Sequence, residues 1–132
     1  MPYGTINVDT ITASTGVLAT QNGITGIAKA WVNYQGGNGN TSGTINGSFN
    51  VSSVTANATG NWTVNYTTAM PNANYVVVGN ALESVADGTL STNRSINPSR
   101  TALLTTSVRI GCVFYDGTAQ TVNSVFVAVF CS

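Results

Sequence analysis

The chain has 132 residues, enough for one domain with its own core and not for two. Apolar residues make up 42% of it and charged residues only 6%, with four Lys and Arg against four Asp and Glu. No basic stripe exists to neutralise phosphates and no polybasic run to meet an anionic membrane, so neither nucleic acid nor a membrane surface is expected as a partner.

With so little charge, the surface must be built from Thr, Ser, Asn and Gly. A free monomer ordinarily stays soluble through net charge. A neutral domain suits a site where much of its surface meets other protein, or an extracellular particle. No apolar run has the length to span a bilayer. The opening MPYGTINVDT lacks the basic and apolar regions of a secretory leader, so the mature chain is expected to start near Met1. The Asn-x-Ser/Thr triplets at Asn40, Asn46, Asn50, Asn57, Asn61, Asn65 and Asn93 follow from the composition and carry little weight without such a leader.

Residues 3–26 hold few apolar groups. Ile6 and Val8 alternate with polar neighbours, and Ile11 follows among turn residues. The segment reads as a first short strand plus loop, serving as an arm that docks on a neighbouring subunit or assembly. From Ala28 to Tyr34 the chain alternates: Ala28, Ala30, Val32 and Tyr34 share one face, Lys29, Trp31 and Asn33 the other. Both faces carry an aromatic, so Trp31 with the Lys29 stem is expected against a partner chain or a covering loop. Gln35–Gly43 is a Gly/Asn-rich loop. It lacks the Lys-Ser/Thr ending of a phosphate cradle.

Thr44–Val54 is expected to run as one strand, with Ile45, Gly47, Phe49 and Val51 inward and a phase shift at Ser53–Val54. After the turn at Asn57–Gly60, Asn61–Thr67 places Trp62, Val64 and Tyr66 on one face. The two strands form an antiparallel hairpin whose other face is uncharged Asn, Ser and Thr. Pro71 marks a corner. Tyr75–Leu82 is continuously apolar, the pattern of a strand covered on both faces. Residues 83–100 form a polar excursion with room for one short strand.

Residues 101–115 place Val108, Ile110, Cys112 and Phe114 on one face, and Asp116–Gly117 makes a turn. Residues 122–131 form a closing strand, apolar on both sides, expected centrally in a sheet or at a subunit interface. If 108–115 and 122–131 make a hairpin, Cys112 lies opposite 121–125 rather than Cys131, so two buried free thiols are expected. The whole reads as all-β: an antiparallel β-sandwich or jelly-roll-like barrel over 27–132, with an extended N-terminal arm at 1–26.

The sequence contains no histidine, no CxxC pair and no GxSxG elbow. The closest carboxylates, Glu83 and Asp87, sit in a polar loop, and the two Asp-Gly pairs read as turns. The expectation is a non-enzyme with no cofactor, no metal and no catalytic residue.

The stretches AKAWVNY (28–34), SFNVSSV (48–54), GNWTVNYTTAMP (60–71) and ANY (73–75) resemble a recurrent segment of structural proteins of tailed bacteriophages, especially those of cyanobacteria and other aquatic bacteria. The opening TINVDTI (5–11) is also similar to the start of such proteins. The resemblance implies a virion structural protein, made in the host bacterial cytoplasm and placed on the particle surface. Within that class, a compact, charge-poor β domain with a docking arm suits a capsid decoration (cement) protein: a homotrimer that bridges capsid subunits and contacts the major capsid protein. The subunit or capsid contacts would be Ile6, Val8, Ile11 and Trp31. The alternative is a short tail-fibre or receptor-binding protein among tail proteins, contacting cell-surface glycan through loops that hold Asn38, Asn40, Asp87 and Arg94, with Tyr34 and Trp31 as stacking aromatics.

Overall fold

The computed structural model describes residues 27–35, 43–82, 95–114, 116–120 and 122–131. Among these there are eight strands: β1 (Ala30–Gln35), β2 (Ile45–Phe49), β3 (Val51–Ala58), β4 (Asn61–Tyr66), β5 (Val76–Leu82), β6 (Ser95–Leu103), β7 (Ser107–Val113) and β8 (Ser124–Phe130). They form two four-stranded antiparallel sheets, sheet A in the order β2-β1-β8-β5 and sheet B in the order β3-β4-β7-β6. The protein is therefore an antiparallel β-sandwich. The N-terminal arm at 1–26 lies outside the described residues.

The core follows from period-two alternation. Ala30, Val32 and Tyr34 of β1, with Val125, Val127 and Val129 of β8, point inward from sheet A. Trp62 and Val64 of β4, with Val108, Ile110 and Cys112 of β7, point inward from sheet B. The Tyr34 and Trp62 rings meet edge-on across the sandwich, centroids 6.2 Å apart. Gly79 lies on the inward side of β5, where a Cβ would sit 3.0 Å from Ile96 Cγ2 and 2.8 Å from the Phe126 carbonyl oxygen. Its missing side chain lets the β5 and β6 edges close on each other.

Residues 44–54 are not one strand. The chain breaks at Asn50, which takes φ 54°, and crosses from sheet A to sheet B. Asn is among the few non-glycine residues that adopt this conformation readily. Its side chain fixes the corner: Nδ2 donates to the Lys29 and Thr68 carbonyls at 3.0 Å each, and Oδ1 accepts the Thr68 N–H at 2.7 Å. The expected hairpin survives as β3 with β4, closed at Thr59–Gly60, with bulges near Val51–Ser53 and Ala56–Ala58. Asn46 and Ser48, expected on its polar face, belong to β2 in the other sheet.

The inward set of β2 is corrected as well. The register slips between Asn33 and Tyr34, so Ile45 faces the core while Gly47 and Phe49 share the outer side with Asn33 and Trp31. One extra residue reverses every side chain beyond it.

Strands β7 and β8 do not form a hairpin. They lie in different sheets, joined by the Asp116–Gly117 turn, in which the Thr118 N–H donates to Asp116 Oδ1 at 2.9 Å. Cys112 and Cys131 are buried thiols not joined in a disulfide, as expected, although the pairing premise behind that expectation fails. The polar excursion at 83–100 ends in a long strand, β6, rather than a short one. Pro98 fits there because β6 is an edge.

Candidate functional site

The two outer faces of the sandwich differ in chemistry. On sheet B the register aligns Ser53 with Asn65 and Thr55 with Thr63, and Thr63 in turn with Arg109. Many of these groups bond to each other. Asn65 Nδ2 donates to Ser53 Oγ at 3.0 Å and to Thr55 Oγ1 at 3.2 Å, and Asn57 Nδ2 donates to Thr63 Oγ1 at 2.9 Å. Such a lattice of amides and hydroxyls sits well in water.

On sheet A one outward row runs across all four strands as Phe49, Trp31, Ala128 and Val78. The next row holds Gly47, Asn33, Phe126 and Asn80. Phe130 pairs with Val76 at one end, and Ser124 with Leu82 at the other. Among the described residues of this face there is no charged side chain. Trp31 is 43% exposed, Val76 61%, Val78 49%, Leu82 41% and Phe126 39%. Between them lies a shallow groove of about 490 Å³, walled by Trp31, Val78 and Phe126 and edged by Asn33 and Asn80. The Trp31 ring leans over Gly47, where a Cβ would sit only 3.4 Å from it.

Two expectations about this surface change. Val76–Leu82 is not covered on both faces: β5 is the edge of sheet A, and its outward side chains meet solvent. The Lys29 stem does not accompany Trp31, because Lys29 precedes β1 and is buried at 1% exposure. Tyr34 is also buried, so it cannot stack on a glycan; its Oη accepts the Gly43 N–H at 2.6 Å.

Of the residues expected to make contacts, Trp31 stands on the outer face of sheet A. Ile6, Val8 and Ile11 lie outside the described residues, as do Asn38, Asn40, Asp87 and Arg94 and the carboxylates Glu83 and Asp87. The closing strand lies centrally in sheet A, one of the two places expected for it, with Phe126 on its outer side; sequence reasoning missed Val78 and Phe49 as residues of this face. The available signal was that β8, and most of β5, carry apolar residues on both phases.

Among the described residues no group of three or more His, Cys, Asp or Glu side chains could hold a metal ion. No helix there is long and apolar enough to cross a membrane. No family model, curated protein or solved structure matches the chain.

Proposed function

We propose that the protein is a non-enzymatic structural subunit of a bacteriophage particle, a capsid decoration protein that docks on the shell through the outer face of sheet A. The observation that carries this reading is the contrast between the two faces, one self-bonded and polar, the other apolar and free of charge. Sheets exposed to water keep a polar side. An apolar patch of several hundred Å² on a soluble domain marks an interaction surface.

The size of the patch bears on how it binds. Taking the ordinary areas of these side chains, the exposed parts of Trp31, Val76, Val78, Leu82 and Phe126 sum to roughly 400 Å². Burying that area is worth about 10 kcal/mol at about 25 cal/mol per Å². Association itself costs about 4–15 kcal/mol. One isolated copy therefore docks weakly, and firm attachment requires copies linked to each other, as decoration of a repeating shell provides.

The test is binding of the purified protein to heads that lack it, together with its copy number on intact particles. The expected result is hundreds of copies on the head and loss of binding in Trp31→Lys and Phe126→Lys proteins that remain folded. A few copies at the tail, or unimpaired head binding by both variants, overturns the reading.

A further inference from the structure

We draw no further inference here: the strongest candidate, the apolar groove on the outer face of sheet A between Trp31, Val78 and Phe126, belongs to the docking surface already proposed, and nothing among the described residues shows what covers it.

Discussion

Tyr66 and Tyr75 offer a test in which one conservative substitution has opposite signs at two neighbouring sites. The rings meet edge-on with centroids 6.1 Å apart, and both are buried. Tyr75 Oη donates to the Leu104 carbonyl at 2.9 Å and the Ser107 carbonyl at 3.0 Å, tying the corner before β5 to the β6–β7 turn. Tyr66 Oη lies beside the Tyr75 hydroxyl without the geometry of a hydrogen bond, and it has no partner. A buried polar atom without a partner costs about 1–3 kcal/mol, and the void left by a missing hydroxyl costs only a few tenths of that. Tyr66→Phe is therefore expected to stabilise the protein by about 1 kcal/mol. Tyr75→Phe removes the bond to two carbonyls that still accept each other's turn N–H groups, Leu104 N–H to Ser107 O and the reverse. Its cost is that of one ordinary hydrogen bond, about 1 kcal/mol. The two variants should differ by about 2 kcal/mol in urea unfolding, or about 8 °C in Tm for a chain of this size. If Tyr66→Phe destabilises as much as Tyr75→Phe, the Tyr66 hydroxyl has a partner and the reasoning fails.

The same pair sets the alkaline limit. Burial raises both phenols above the ordinary 10.0, Tyr66 the further, with the neighbouring Tyr75 hydroxyl adding to the rise. Above that pH the unfolded chain loses protons that the native state keeps, so the contribution of this pair is constant well below pH 10 and is lost as the pH rises through it; urea midpoints should fall less steeply with alkaline pH in Tyr66→Phe. Asn50→Ala loses three side-chain bonds and strains a positive φ, with an expected loss of about 2–3 kcal/mol. Asn50→Gly, which relieves only the strain, should recover part of that in the same unfolding assay. Gly60→Ala is expected to cost more than about 3 kcal/mol, because its Cβ would fall 2.5 Å from the Gln120 carbonyl oxygen at φ 63°. Soluble expression and melting temperature would show whether it does. Both thiols are buried, so maleimide labelling of native protein should be slow and should accelerate with unfolding.

Alternation made the inward residues of β1, β4, β7 and β8 legible, because each strand buries one face on the opposite sheet. The break at Asn50 was not legible. Alternation continues through it with no glycine or proline beside Asn50, and only the left-handed backbone and three side-chain bonds reveal a corner. The slip beside Asn33 and Tyr34 was hidden for a related reason: a bulge changes which residues face inward without changing residue types. The β7–β8 pairing failed because adjacency in sequence suggested a hairpin, whereas the linking segment crosses between sheets.

The outer face of sheet A is hard to read from the sequence for a different reason. A strand apolar on both sides carries the same sequence pattern whether a neighbouring layer of its own fold covers it or another molecule does. The sequence of Tyr75–Leu82 fits the first case, whereas β5 is an edge whose Val76, Val78 and Leu82 face outward. The ambiguity narrows once the layers are counted. A two-layer sandwich has one interior, and the alternating residues of both sheets already fill it with Trp62, Tyr34 and the valines of β8. The second apolar set of β5 and β8 therefore has no further layer among the described strands to serve. Phe126 and Val78 are then exposed among the described residues by topology rather than by accident of packing.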